Sequence, residues 1–529
     1  MYQMKDTFII EPERRIPVNY NVDVAVVGGG TAGSIAAIAA ARTGADTVLI
    51  ERYASLGGCP TTGRCTHLGN AFIDNKMRQI IGGIAEEVVS KVAKNGGANS
   101  PDFKKVIFGE KYFPVHFLID PEILAQILME MAEEAGVKML LHTYFYDPIM
   151  EKRSLKGIVV QNKSGRFAIL SKIIIDASGE ADVASKAGTP FVDKPIDPVW
   201  ATTHGLIFRM SNVDHDKFMD FLLNLPAGEI RTDYAQWLSE QTGRSIADLK
   251  KDWYWRHFLD PQSTGWGIPR KHPGKKRFSQ QTLDWFKQRW ASEKDFTYVG
   301  IHYFRDQIKR AVENGDFELT PVVEGFGEII FNFDGISGAS WRKGEVIVNI
   351  VAASGGFNAF DSDHISKLEI ASRKRARAIA EFLGKYISGF EESYLVDMGV
   401  QVMTRHYRVV ETEFTPTKEK LASIHHHSDA VYMFPIGIVP GFARQIPYRT
   451  IIPRKIKNLL VVGKCIKGSH LIRAIPGMMA MGHAAGAAAA ISVKNGVNPK
   501  HINVKDLQET LRVQGMIFDL PMETYNPSQ

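Results

Sequence analysis

The stretch VDVAVVGGGTAGSIAAIAAARTGADTVLIERYASLGGCPTTG, residues 22–63, decides the fold. Its apolar run Val22 to Val27 reads as a buried strand, and Gly28, Gly30 and Gly33 follow with G-x-G-x-x-G spacing. The first glycine permits the tight turn, the second leaves room for a pyrophosphate beside the backbone, and the third lets the helix pack closely on the sheet. Alanines and isoleucines from Ser34 to Thr43 make that helix, and Gly44 stands where a left-handed cap ends it. The helix N-terminus, through Thr31 and Ala32, presents free N–H groups and the positive end of its dipole to a diphosphate. A second strand, Thr47 to Ile50, delivers Glu51 about 20 residues beyond the glycines, where a carboxylate accepts hydrogen bonds from both ribose hydroxyls. That geometry disfavours a 2′-phosphate. A lone glycine turn is weak evidence, but strand, turn, helix, strand and acid together point to a bound dinucleotide. They leave FAD and NAD both open.

Three later segments bear on that choice. Leu56-Gly57-Gly58, with Thr62 just beyond, places a second glycine pair past the acid. Ile173-Ile174-Ile175-Asp176-Ala177-Ser178-Gly179 is a strand running into a small-residue turn. Asn458 to Gly463 is another buried strand ending in glycine, followed by a helix with Met478 and Met481-Gly482-His483-Ala484-Ala485-Gly486. These segments resemble the signatures of FAD-dependent oxidoreductases of the glutathione reductase and fumarate reductase superfamily. More specifically they resemble the FAD-dependent oxidoreductase family. Its D-A-T-G-D-x-D segment is similar to Asp176-Ala177-Ser178-Gly179-Glu180-Ala181-Asp182, and its I-P-Y-R appears as Ile446-Pro447-Tyr448-Arg449. Arg405-His406-Tyr407-Arg408 matches its R-x-T-R only in arginine spacing, and Arg473-Ala474-Ile475-Pro476 matches its R-x-M-P loosely.

The resemblance implies an α/β fold: a Rossmann-like FAD-binding domain of the glutathione reductase type with an inserted α+β substrate domain. The expected division is 1–190 for the first part of the FAD-binding domain, 191–430 for the substrate or cap domain, and 431–529 for the returning part. Expected cofactor contacts are Gly28, Gly30, Thr31, Ala32, Gly33, Glu51, Arg52, Gly57, Gly58, Thr62, Ala177, Ser178, Gly179, Gly463, Met478 and Met481. FAD is expected to be held noncovalently.

A chain of 529 residues, 44 % hydrophobic and 23 % charged, has the composition of a globular protein with a large core. Its longest alanine-rich apolar run, Ala484 to Val493, is short of the roughly 20 residues a membrane span needs. Charges interrupt the first 21 residues where a signal peptide is apolar, so a cytoplasmic location is expected. Three cysteines exclude a disulfide scaffold and cannot alone ligate an iron–sulfur cluster. The net charge of +6 is small for this length, and nucleic-acid binding is disfavoured. The richest basic cluster, Arg270 to Arg277, lies among Trp253, Trp255, Trp266, Trp285 and Trp290 and keeps an RNA-acting flavoprotein as the alternative.

Flavin chemistry at a carbon needs a protein acid or base and a means of holding the substrate. His470, ahead of the last long helix, and His204, on a strand that in the family approaches the flavin, are the proton-handling candidates. Arg473 stands where it can stabilise reduced flavin or clamp a carboxylate, and Arg405 and Arg408 are candidates for binding an anionic substrate. The consecutive His425, His426 and His427 diverge and read as surface rather than a metal site. Cys59 and Cys65 follow the glycine pair as the redox cysteines of disulfide reductases do, but one residue further apart, so dithiol chemistry and a covalent flavin tether are minor alternatives. The substrate is expected to be a small organic molecule, the electron partner is open, and a homo-oligomer is compatible with the sequence.

Overall fold

The structure is a computed structural model. It describes residues 3–5, 8–11, 13–66, 68, 72–98, 119–192, 203–224, 232–251, 299–300, 304–319, 322–323, 327–328, 330–338, 342–353, 358–404, 408–417, 420–421, 423–436, 442–466 and 474–522.

The opening stretch folds as its pattern requires, as β1 (Val18–Val27), α1 (Thr31–Arg42) and β2 (Thr47–Ile50). After α2 (Ile84–Lys94) comes α3 (Pro121–Glu134), which is started by the Asp120 carboxylate accepting from the N–H groups of Glu122 and Ile123, with Pro121 at the first helical position. Gly136, at φ +80°, follows its end. The stretch Val137 to Tyr144 reads as one strand; in the structure it divides into β3 (Lys138–Leu140) and the start of β4 (Tyr144–Glu151), with His142 in left-handed backbone between them. Then come β5 (Ser154–Asn162), β6 (Gly165–Asp176) and the short α4 (Asp182–Lys186). The sheet order is β3-β2-β1-β6-β5-β4. The first four are parallel and the last three antiparallel. The end of β1, Val24–Val27, and all of β2 are continuously buried because helices cover the parallel part of the sheet.

A second sheet is built from β7 (Thr203–Ser211), β8 (Val299–Gly300), β9 (Ile330–Gly338), β10 (Val346–Ala353), β11 (Tyr394–Met398) and β12 (Met403–Thr404). Its order is β8-β9-β10-β7-β11, all antiparallel, with β12 also beside β7. α5 (His215–Leu223), α6 (Arg305–Glu313) and the long α7 (Ser362–Tyr386) accompany it. The spacing of Ile365, Leu368, Ile379, Phe382 and Leu383 reads as one apolar helical face; all but Ile365 are buried in α7, and Ile365 is exposed. The sequence pattern reads Arg373, Lys374, Arg375 and Arg377 as a wet helix surface, and for Arg375 the structure corrects that reading. Arg375 is buried, with its guanidinium 4.1 Å from the Phe317 ring centroid, and it donates to the carbonyls of Glu318 and Leu319. Arg373 likewise donates to the carbonyls of Gly399 and Val400.

The chain then returns through the hairpin β13 (Ala430–Ile436) and β14 (Phe442–Pro447) to β15 (Leu459–Val461), α8 (Ile475–Asn495) and α9 (Val504–Val513). β15 lies parallel to the end of β6, from Leu459 opposite Ile174 to Val461 opposite Asp176. The expected Met-Gly-His-Ala-Ala-Gly helix is therefore present, but its glycines serve packing. A methyl on Gly482 would lie 2.1 Å from the Ala32 carbonyl oxygen, and one on Gly486 would lie 2.1 Å from that of Ala36. α8 thus rests directly on the backbone of α1. Buried residues form two apolar clusters, one containing the first sheet with α1 and α8, the other running from Leu206 to Val402 around the second sheet. Among the described residues no helix is long and apolar enough to cross a membrane.

Candidate functional site

The carboxyl ends of β1, β2, β6 and β15 open on one side of the first sheet, the side on which open α/β sheets bind ligands. There Gly28 takes φ +98°, and a methyl on it would meet the Ala177 carbonyl oxygen at 2.5 Å. A methyl on Gly33 would be 1.8 Å from the Gly28 carbonyl oxygen. These two glycines are demanded by the protein's own backbone. Gly30 is different: its φ of −69° suits any residue, and a methyl there would meet nothing within 4 Å. It faces open space at the start of α1, which has no side-chain cap. The N–H groups of a helix's first turn have no partner within the helix, so this uncapped end is a donor set for an anion.

The second glycine pair closes on the first. The Gly57 N–H donates to the Gly29 carbonyl at 2.8 Å, and the Thr31 hydroxyl donates to the Gly57 carbonyl at 2.9 Å. Gly58 lies so close that a methyl on it would be 2.9 Å from the Gly30 Cα. Thr62 donates its hydroxyl to the Gly58 carbonyl at 3.0 Å, and Ala32 is buried. Glu51, also buried, accepts from the Gly29 N–H at 2.6 Å and the Tyr53 N–H at 2.9 Å, one on each carboxylate oxygen. Each oxygen retains acceptor capacity for a ribose hydroxyl.

At the end of β6, the fully buried Asp176 accepts from the Ser178 N–H, the Ser178 hydroxyl and the Ala184 N–H. Burial pushes its carboxyl up to about 6, against the pull of these hydrogen bonds. The bonds shape the Ala177-Ser178-Gly179 turn, in which Gly179 takes φ +87°. Gly463 ends β15 at φ +103° with open space where a side chain would stand, and its N–H donates to the Met481 sulfur at 3.3 Å. Met478 and Met481 are buried in the body of α8. α8 starts at Ile475 without a side-chain cap, unlike α3 and α7, which Asp120 and Asp361 cap. An open glycine, two uncapped helix starts and an aligned carboxylate fit an FAD diphosphate and ribose.

The second sheet meets this cradle through residues 397–404, which carry no motif and which the sequence did not mark. The Val400 N–H donates to the Thr62 carbonyl at 2.7 Å, and the Gln401 side-chain oxygen accepts from Arg52 at 2.8 Å and from the Tyr53 hydroxyl. Met403 places its sulfur 3.2 Å from that of Cys59. Thr404 donates its hydroxyl to Glu180 at 2.7 Å, and Lys464 donates to Glu180 and to both oxygens of Thr404. His204, fully buried on β7, stands opposite Thr404 in the ladder, with Ala352 on its other side. Arg64, at φ +58°, pairs with Glu122 of α3 and Asp397 of β11, while Arg342 pairs with Asp120.

Arg408 is stacked 3.7 Å from the Phe360 ring centroid, with Asp182 at 3.4 Å and the Glu180 carbonyl at 3.5 Å. Asp182 is itself raised, chiefly by burial. Cys59 is exposed and Cys65 half-buried, and burial drives the Cys465 thiol well up. His425 and His426 are exposed, and the His427 ring packs 5.2 Å from that of Phe414. His470, Arg473, Arg405 and the basic tryptophan-rich segment lie outside the described residues.

Fold and cradle together define a flavoprotein of the nucleotide-binding α/β class. The profile of the FAD dependent oxidoreductase family matches residues 23–511, and the chain belongs to that family; it is an FAD-dependent enzyme. It is 32 % identical over 174 residues to the digeranylgeranylglycerophospholipid reductase of Methanoculleus marisnigri, which covers 32 % of this chain and 41 % of that protein. The reductase of Methanosarcina acetivorans is also 32 % identical, over 178 residues, 33 % of this chain and 42 % of that one. The chain thus spans about two-fifths of the length of the curated relatives it matches. A geranylgeranyl bacteriochlorophyll reductase-like structure from Thermoplasma acidophilum aligns over 94 % of this chain and 82 % of its own, at 13 % identity and a TM-score of 0.41.

Proposed function

We propose that the protein transfers a hydride between FAD and a small organic substrate, by oxidising a C–OH or C–C bond or by reducing an activated alkene. The observation that carries the cofactor part is Gly30: the fold does not need a glycine there, while a diphosphate at an uncapped helix start does. Bound FAD supplies the hydride chemistry itself. In this reading Glu51 holds the ribose, the first turn of α1 holds the diphosphate, and the paired glycines 57 and 58 let the cofactor pass close to backbone. His204, buried beside the seam, gives or takes the substrate's proton, and Met403 with the second sheet keeps water from it. His470 and Arg473 remain candidates for the same duties, and Arg405 and Arg408 for the substrate's charge. The digeranylgeranylglycerophospholipid reductases among the relatives favour the alkene.

Residues 1–190 and 431–529 form the cofactor part in this reading and 191–430 the substrate part. The two apolar clusters support the division, with Val410 and Leu421 siding with the cofactor part. The test is anaerobic. Photoreduced holoenzyme is mixed with activated alkenes and oxidised holoenzyme with alcohols, and the flavin absorbance is followed. Reoxidation by the alkene supports the proposal; a flavin that neither class alters overturns it. Acid precipitation in the same preparation should leave FAD in the supernatant, as noncovalent binding requires.

A further inference from the structure

The segment 397–404 touches the cofactor side at several residues, and its last contact is made through a lysine. Lys464 follows the open Gly463 at the end of β15, and its ammonium donates to the Thr404 carbonyl at 2.8 Å, to the Thr404 hydroxyl at 2.8 Å and to Glu180. The hydroxyl in turn donates a hydrogen bond to Glu180 at 2.7 Å. These donations converge on one point, where the turn after β6, the turn after β15 and strand β12 meet. Thr404 is the ladder partner of His204.

We propose that Lys464 is a positioning residue: with Glu180 it pins β12 to the two cofactor-side turns and so fixes His204 and Met403 relative to the flavin. The proposal rests on the reading of the cradle as the FAD site. The geometry argues for a pin rather than a surface ion pair, because Lys464 and Glu180 side chains are only 26 % and 18 % exposed and two of the three donations go to Thr404. Replacing the lysine leaves Glu180 beside Asp182, with Arg408 and Arg52 as neighbouring cations among the described residues. A charge effect and a positioning effect are therefore separable: Lys464→Met with Glu180→Gln restores neutrality but not the link to the Thr404 carbonyl.

The experiment uses FAD-loaded protein as wild type, Lys464→Met, Lys464→Arg and the Lys464→Met/Glu180→Gln double variant. Two quantities are read: amide hydrogen exchange of the peptide covering 399–404 and the visible circular dichroism of the bound flavin. Positioning predicts roughly tenfold faster exchange of that peptide in Lys464→Met, the factor matching loss of one hydrogen-bonded anchor. It also predicts an altered flavin dichroism, both persisting in the double variant and both reversed by Lys464→Arg. Exchange and dichroism at wild-type levels in Lys464→Met overturn the proposal, as does recovery in the double variant, which would make the pair a matter of charge balance. Protein that takes up no FAD at all overturns the cofactor reading instead.

Discussion

Replacing Gly30 with alanine separates what the fold needs from what the cofactor needs. Gly30 has φ −69° and ψ −168°, comfortable for alanine, and the new methyl meets no protein atom within 4 Å. The apo protein should therefore fold unchanged and gain about 0.4–1 kcal/mol, because the unfolded chain loses freedom. The methyl instead stands at the uncapped start of α1, where a diphosphate must come within hydrogen-bonding distance of backbone N–H groups. Losing or stretching one charge-assisted contact costs about 1.5–3 kcal/mol, so the FAD dissociation constant should rise roughly 10- to 100-fold. Urea unfolding of apo protein measures the first quantity and titration calorimetry of FAD the second. Unchanged stability with unchanged affinity would refute the placement of the diphosphate; lost apo stability would refute the claim that Gly30 faces open space.

Other substitutions test other links of the argument. Gly482→Ala should destabilise the apo protein by about 1–3 kcal/mol or more, because the methyl would strike the Ala32 carbonyl at 2.1 Å, and thermal melts will show it. Glu51→Gln should weaken FAD roughly 10- to 100-fold through loss of the charged acceptor for ribose, read by the same calorimetry. His483 is buried, donates to Gln514 at 2.7 Å and is pushed down to about 4 by that burial. Its folded value lies below the unfolded 6.5, so its stabilising share is full above pH 6.5 and drains as pH falls toward 4. The advantage of wild type over His483→Gln in urea unfolding should shrink by about 2 kcal/mol from pH 7.5 to 5; a constant gap contradicts this. Asp176 runs the other way. Raised to about 6 from 3.8, it stabilises fully below 3.8 and loses that share as pH rises through 6, so wild type should lose ground to Asp176→Asn between pH 4 and 7.

The nucleotide-binding half was legible because its signals are local and redundant. Val22 to Glu51 places strand, turn, helix and acid within one short window, and the structure reproduces each of them. The Asp120 cap of α3 is local in the same way, as acid, proline and apolar period adjoin. The seam was not legible. Val400, Gln401 and Thr404 carry no motif, and their meaning comes from Thr62, Arg52, Glu180 and Lys464, all distant in sequence. Lys464 did have a trace, as a cation directly after a glycine-ended strand, but nothing local gave it a partner. Arg375 misled because a cation among cations on a helix reads as wet, and only Phe317 and two carbonyls from another segment explain its burial.

The contact of α8 with α1 also bears on how the molecule is made. The backbone face of α1 at Ala32 and Ala36 is covered by Gly482 and Gly486, from near the opposite end of the chain. β15 completes β6 from the same late stretch. A ribosome therefore delivers the glycine cradle first and its cover last, and while the second sheet is being synthesised the alanine face of α1 stays uncovered. Such long-range closure slows folding and leaves apolar surface open to misassembly. A ligand that binds only the closed form favours its formation by mass action, so the yield of folded protein in cells should follow the supply of flavin.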